Sequence, residues 1–565
     1  MTPISTKRIL WLAIAVAVIW FSNIEYRKLI KPDEGRYAEV PREMVASGDW
    51  VTPRLNDLKY FEKPPLQYWA TATAYTVFGE HQWTSRLWTA LTGFAGLLLV
   101  GFAGLRLFGR EAAVYAALLL GSSFLYVGMS HINTLDMGVT FFITLGIVGL
   151  LLGQTATDAK TQRNWMLLAW AGMALAVLSK GLMGIVLPGT ALFIYCMVQR
   201  DFSVLRRMHW LSGIAVFLLI AAPWFYLVMK ANPEFFHFFF IHEHFERFTT
   251  KAHGRYQPWY YFIPILLVGI LPWTFLMLDT LWRTVFGARA GTRQVTKAFD
   301  ADRFLLIWAM FVFVFFSMSS SKLPSYVLPM FPALALLMGR QVAEMNTRRL
   351  FWLVAPMLPL MLLAMAMTPF ISRLADTPTR EQMYGDYAVW VAAAALLWLL
   401  GTAASLVFLR RGRKLVAVVV LSVSSLMAVQ LGTSGYNAIA KERSAYLLAD
   451  AIRSHVKKNI PFYSVMTYEQ TLPFYLKRTF TLVEFQDEMA FGIMQEPQRW
   501  VPDIPSFAKV WQAQAEALAI MPTEIYPMLK QQDMAMKIIF EDNQYIVIEK
   551  PLDAANSNGE RVESR

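Results

Sequence analysis

Runs of about 20 mainly apolar residues, each ended by charged residues, recur along this chain and constrain its fold more than any other feature. Where lipid replaces water, a backbone of that length satisfies its polar groups only as a helix, so a multi-span α-helical membrane protein is expected. About thirteen spans are predicted, over roughly 8–24, 84–106, 111–130, 135–153, 164–180, 182–199, 209–229, 258–281, 304–320, 324–340, 350–371, 387–409 and 414–432. The loops between them give an independent check. If the N-terminus is cytoplasmic, every even-numbered span returns the chain to that side. The loops there carry Arg106 and Arg110, Lys160 and Arg163, Arg200, Arg206 and Arg207, Arg283 to Arg303, Arg340, Arg348 and Arg349, and Arg410 to Lys414, as the positive-inside bias requires. Parity then places 25–83, 230–257 and the whole C-terminal part on the outer side. Lys7 and Arg8 lead into the first run, and no small-residue cleavage site follows it, so it reads as an uncleaved span.

The composition fits lipid as the main solvent: 56% of residues are hydrophobic and only 16% charged. The net charge of +12 would suggest nucleic acid as partner of a soluble protein; here membrane lipids and phosphate are expected instead, and no nucleic acid. Cys196 is the one cysteine, inside an apolar run, which rules out an intrachain disulfide and predicts an inert thiol.

Two domains are expected, a transmembrane domain over 1–432 with outer loops 25–83 and 230–257, and a small soluble α/β domain over 433–565. In the latter, a helix is predicted over Glu442–Lys457 and strands over Phe462–Met466, Met536–Phe540 and Tyr545–Ile548, the last two joined by a turn at Asp542-Asn543. No nucleotide-binding glycine loop or catalytic constellation marks this domain, so a lid or docking role is expected of it. The tail after Pro551 is polar and expected to be disordered. The first outer loop is unusual for its cations, Arg27, Lys28, Lys31, Arg36, Arg42, Arg54, Lys59 and Lys63, whose number suggests a task. Within it, Leu66–Phe78 reads as an interfacial helix with Tyr68, Trp69 and Tyr75 at headgroup level.

Ionisable groups at span ends carry the most information, because placing them near hydrocarbon is costly unless they are paired or used. Asp33-Glu34-Gly35-Arg36-Tyr37, followed by Tyr60-Phe61-Glu62-Lys63-Pro64-Pro65, offers carboxylates for a sugar hydroxyl, an amine or a metal, or else is a turn with surface ion pairs. His131-Ile132-Asn133-Thr134-Leu135-Asp136 ends on an acid that serves either as a helix cap or as an active-site carboxylate. Lys180 sits between two apolar runs, as a snorkelling side chain or a phosphate-binding cation. His242-Glu243-His244 has metal-like spacing, with Glu62 as a third ligand, although two histidines do not close a zinc site. Lys322 and Tyr326 could donate to an anion or form an interfacial belt. By parity all these groups share the outer interface. An anionic lipid headgroup and a polar substrate suit such a cluster, whereas a proton-coupled transporter would place acids near mid-span, where hardly any occur.

The run from Asp33 to Met44, with Tyr60 to Leu66, resembles the aminoarabinose transferases that modify lipid A, within the polyprenyl-phosphate-dependent transferases that include protein O-mannosyltransferases. Leu135-Asp136, Ser179-Lys180-Gly181, Glu243-His244 with Arg247-Phe248, and Lys322 to Tyr326 follow in the same order. The resemblance covers the membrane part, is weak in the soluble domain, and does not include His242. It implies a GT-C-like fold and transfer of 4-amino-4-deoxy-L-arabinose from undecaprenyl phosphate to a lipid A phosphate at the periplasmic face of a bacterial inner membrane. A related transferase with a protein or glycan acceptor is the alternative, and a solute transporter a more distant one. It implies Asp33, Asp136 and Glu62 as catalytic residues, and Glu34, Arg36, Tyr60, Lys63, Lys180, Arg247, Lys322 and Tyr326 as substrate-binding ones. No cofactor is required, though a divalent metal such as zinc could bind Glu62 and His244.

Overall fold

Each predicted span coincides with a helix or a bent pair of helices in the computed structural model, which describes residues 5–246, 257–286, 299–532 and 534–551. Among the described residues, eight helices are long and apolar enough to cross a membrane, or ten if each of two bent pairs is one span. The expected thirteen is not reached on that measure. The shortfall lies in Thr6–Phe21, with 16 residues, Met183–Gln199, with 17, and Ala159–Lys180, which spends its first turns on Lys160, Gln162, Arg163 and Asn164.

Both bent pairs face one another. Arg110–Leu120 and Phe124–Ser130 meet at 67°, and Trp259–Gly269 and Thr274–Phe286 at 116°. A broken helix in lipid needs partners for its freed backbone groups. Here Phe124 N donates to Leu271 O at 3.1 Å, Trp273 Nε1 to Ser122 Oγ at 2.8 Å, and Ser425 Oγ to Ser122 O at 2.9 Å. Two further fully buried indoles of this core are satisfied by carbonyls, Trp20 by Ala90 O and Trp308 by Pro329 O.

The chain divides into two compact units: 1–27, 62–74 and 81–438 form the first, and 28–61, 75–80 and 439–565 the second. In the second, β1 (Arg54–Leu55) and β2 (Leu58–Lys59) make a small hairpin, and six strands form a mixed sheet. These are β3 (Phe462–Val465), β4 (Thr481–Val483), β5 (Trp500–Val501), β6 (Ala517–Pro522), β7 (Lys537–Glu541) and β8 (Tyr545–Lys550). Their order is β5-β4-β3-β6-β8-β7, parallel from β5 to β6 and antiparallel beyond. The expected β7–β8 hairpin is present, with Asp542 Oδ1 accepting from Gln544 N and Tyr545 N at 2.7 Å.

The first-loop motif folds into this second unit. Asp33–Ser47 is a helix, and a Cβ on its Gly35 would stand 2.4 Å from Gln470 O, so only glycine allows the approach. Glu43 accepts from Asn56 N at 2.6 Å and Asp57 N at 2.7 Å, fixing the β1–β2 turn, where both residues have positive φ. Burial, and then Glu39, push the Glu43 carboxyl well above its usual range. The cations of this loop are largely spent on structure: Lys28 covers the Tyr446 ring, Lys31 donates to Gln544 and Tyr545, Arg42 pairs with Glu39, and Arg54 with Glu496.

Two expectations are corrected. Leu66–Phe78 is a helix, but Tyr68 and Tyr75 are buried rather than at an interface, and Tyr75 Oη donates to Ala38 O. The helix expected over Glu442–Lys457 is broken into Ala440–Arg443 and Tyr446–Ile452, because Ala445 N donates to Thr471 Oγ1 instead of continuing the helix ladder. Gly35→Ala should destabilise the second unit by about 1–3 kcal/mol through overpacking, read as a lower temperature of thermal unfolding; an unchanged temperature would show that the contact with Gln470 yields freely.

Candidate active site

Glycines let two successive helices, Asp136–Thr155 and Ala159–Lys180, pack backbone to backbone. A Cβ on Gly172 would lie 2.6 Å from Gly146 N, and one on Gly149 2.8 Å from Ala169 N. Running antiparallel, they set the first residue of one beside the last of the other, and Asp136 and Lys180 form an ion pair. Each charge stands at the helix end whose dipole favours it. Leu135 occupies the N-cap and no side chain caps that helix, so Asp136 is spent on Lys180 rather than on capping. Lys180 Nζ also lies 4.9 Å from the centre of the Tyr326 ring.

Around this pair is a cavity of about 1020 Å³ including its open mouth. Glu62, Lys63, Asp136, Lys180 and Tyr326 line it, with Thr140, Ser319, Ser321 and Ser325, while Ile143, Leu187, Phe315 and Phe316 supply an apolar wall. Five residues singled out from four distant sequence segments thus share one cavity. Its two cations and two carboxylates balance. Lys63 Nζ donates to Glu62 O at 2.7 Å and is 3.9 Å from Glu62 Oε2. Thr140 Oγ1 and Ser321 Oγ are buried and lack a protein partner, so their hydroxyls have hydrogen-bonding capacity left for a bound molecule or water. Thr140 escaped the sequence reading, although it stands four residues after Asp136 on the same helical face.

Lys322 is not part of that lining. It is buried, and its Nζ donates to Ser319 O at 2.5 Å and Gln257 O at 2.7 Å, holding the segment that brings the serines to the cavity. Burial pushes its ammonium below the usual lysine range. Asp33, Glu34, Arg36 and Tyr60 belong to the second unit. There Asp33 opens its helix with a half-exposed side chain, 3.4 Å from Arg36 Nη1, and Arg36 also pairs with Glu488. Glu34 is buried and accepts from Ile30 N at 3.1 Å; Tyr60 is buried. Arg247 and the side chain of His244 lie outside the described residues. Among the described residues, no three His, Cys, Asp or Glu side chains gather as a metal site.

His131 is structural. With the proton on Nδ1 it donates to Val127 O at 2.7 Å, leaving Nε2 to accept from Gln430 Nε2 at 2.8 Å, while Arg27 donates to its carbonyl. This network ties the approach to Asp136 to the first helix, because Gln430 Nε2 also donates to Trp20 O at 3.2 Å.

Comparison with known proteins places this geometry in context. Residues 448–550 match the family model described as aminoarabinose transferase C-terminal domain, and residues 5–239 that of dolichyl-phosphate-mannose-protein mannosyltransferase. The undecaprenyl phosphate-alpha-4-amino-4-deoxy-L-arabinose arabinosyl transferase of Edwardsiella ictaluri is 33% identical over 340 residues, 60% of each chain. That of Pseudomonas aeruginosa is 33% identical over 346 residues, also 60% of each. These curated relatives are therefore matched over about three fifths of their length. The crystal structure of ArnT from Cupriavidus metallidurans bound to undecaprenyl phosphate superposes with a TM-score of 0.91 at 36% identity, covering 97% of this chain and 99% of that one. An archaeal oligosaccharyltransferase from Archaeoglobus fulgidus, at 12% identity and a TM-score of 0.50 over 92% of this chain and 69% of its own, shares the fold alone.

Lys180→Met leaves the Asp136 carboxylate without its partner and should lower stability by about 2–4 kcal/mol, whereas adding Asp136→Asn should restore most of the loss. Thermal unfolding of the three proteins in nanodiscs tests this, and a double variant no better than the single would refute the coupling.

Proposed function

The chain belongs to the aminoarabinose transferase family, and from that premise we propose that it moves 4-amino-4-deoxy-L-arabinose from undecaprenyl phosphate to a phosphate of lipid A. The cavity around Asp136 and Lys180 carries the reading, because it joins acids, cations and hydroxyls to an apolar wall within the membrane unit. Such a lining suits a donor with a lipid phosphate at one end and a polar sugar at the other. The loop-charge parity supports a periplasmic site in a bacterial inner membrane.

In this reaction an oxygen of the acceptor phosphate forms a bond to the anomeric carbon as the bond from that carbon to the donor phosphate breaks, and undecaprenyl phosphate leaves with the electron pair. The acceptor is already anionic, so no strong general base is needed. The leaving phosphate is stabilised by Lys63 and Tyr326 with Arg247, and Lys322 keeps the serine segment in place. Asp136, Glu62 and Asp33 counter the positive charge growing on the ring and hold the sugar's ammonium, with Arg36, Glu34 and Tyr60 as further substrate-binding residues. Lys180 orients Asp136 through their ion pair. No step passes through a metal ion: Glu62 and His244 would hold zinc if it binds, but two ligands fall short of the three or four it takes, and chelation should leave turnover unchanged.

A second reading, a polyprenyl-phosphate-sugar transferase with a protein or glycan acceptor, has its own support in the mannosyltransferase match over residues 5–239. One experiment separates the two. The purified chain in nanodiscs, given undecaprenyl phosphate-linked aminoarabinose and lipid A, should yield lipid A heavier by one aminoarabinose in mass spectra. Asp33→Ala should slow this on the order of a hundredfold and Lys63→Met about tenfold. Unmodified lipid A alongside a modified protein or glycan acceptor would favour the second reading, and full turnover by Asp33→Ala would remove that residue from the reaction.

A further inference from the structure

The first helix packs against protein along one face only, through Ile9, Leu12, Val16, Ile19, Trp20 and Phe21. Of the sixteen residues Thr6–Phe21 only Trp20 is buried, and Leu10, Trp11, Ile14 and Val18 are exposed. Between this helix and Gln82–Phe108, Arg110–Leu120 and Lys414–Gly435 runs a groove of about 1510 Å³ including its open side. Its wall is carbon almost throughout, with Ile9, Ala13, Phe102 and Ala117 typical, and Arg110 is the one charged residue lining it.

The position of that charge is informative. Arg110 Nη2 donates to Thr6 Oγ1 at 2.7 Å, so it closes the groove at the N-terminal end of the first helix, where Lys7, Arg8 and Arg106 are exposed and Glu111 is the acid of the same turn as Arg110. From Thr6 to Val16 the lining rises about 15 Å, half of a hydrocarbon core of about 30 Å. The other end of this helix reaches His131, five residues before Asp136. The groove therefore opens into the leaflet opposite the Asp136–Lys180 cavity.

We propose that this groove is a binding site for an anionic phospholipid, with acyl chains packed between the first helix and its neighbours and the phosphate at Arg110. Excess positive charge at the mouth selects an anionic headgroup, and the acyl chains supply the packing that the first helix lacks from protein.

The full chain, stripped of lipid in detergent, is titrated in native mass spectrometry with phosphatidylglycerol, with phosphatidylcholine of the same chains, and with undecaprenyl phosphate. The wild type should retain one phosphatidylglycerol with a preference of about tenfold over phosphatidylcholine. Arg110→Glu should abolish that preference and Arg110→Gln reduce it, with undecaprenyl phosphate binding kept as the sign of an intact fold. Ala13→Phe, which fills the groove from the loosely held helix, should lower the retention of both phospholipids. Equal retention of both phospholipids by the wild type, an unchanged preference in Arg110→Gln, unchanged retention in Ala13→Phe, or one-for-one displacement of phosphatidylglycerol by undecaprenyl phosphate would each overturn the assignment.

Discussion

The ion pair between Asp136 and Lys180 is the contact on which the membrane unit's site rests. Hydrocarbon tolerates neither charge alone, and the antiparallel, glycine-packed helices that carry them supply each with its partner at the helix end that suits it. The cavity walls follow from that placement. Tyr326 lies against Lys180, the 319–325 segment brings three serines, and Lys322 holds that segment by its carbonyls instead of presenting its charge to the cavity. A site made of helix ends keeps its polar groups where backbone is already interrupted, which is where a membrane protein can accommodate them.

The same economy governs the long segment after the first helix. Its cations look from the sequence like a basic surface awaiting an anion, yet most are ties: Arg27 to the His131 carbonyl, Lys31 to Gln544 and Tyr545, Arg42 to Glu39, Arg54 to Glu496. Lys63 differs in lining the cavity. Arg36 stands between these cases, paired with Glu488 and close enough to Asp33 to orient it. Gly35 explains why the motif reads as it does, since any side chain there would collide with the backbone at Gln470.

Much of this was legible in the sequence because lipid imposes a simple rule. Runs of apolar residues became helices at the expected places, and Leu66–Phe78 has the expected ends. What escaped depended on tertiary partners. Tyr68 and Tyr75 look like interfacial aromatics until a core surrounds them. The predicted helix through Ser444 loses a ladder bond to Thr471, which nothing local announces. The apolar run of β6 is buried in the middle of the mixed sheet, where the alternation that marks a half-exposed strand is absent. The grouping of Glu62, Lys63, Asp136, Lys180 and Tyr326 could be anticipated from the common side that loop-charge parity predicts for them, but Thr140 and the supporting role of Lys322 required the fold.

The proposed activity requires that a polyprenyl phosphate bind with its phosphate in the cavity of the membrane unit. Photo-crosslinking tests it most directly, using undecaprenyl phosphate with a diazirine on the carbon nearest the phosphate and peptide mapping of the adducts. Adducts on residues 62–63, 136–140, 180 and 319–326 are the predicted result. Adducts confined to the six-stranded sheet, or to the groove at Arg110, would contradict it.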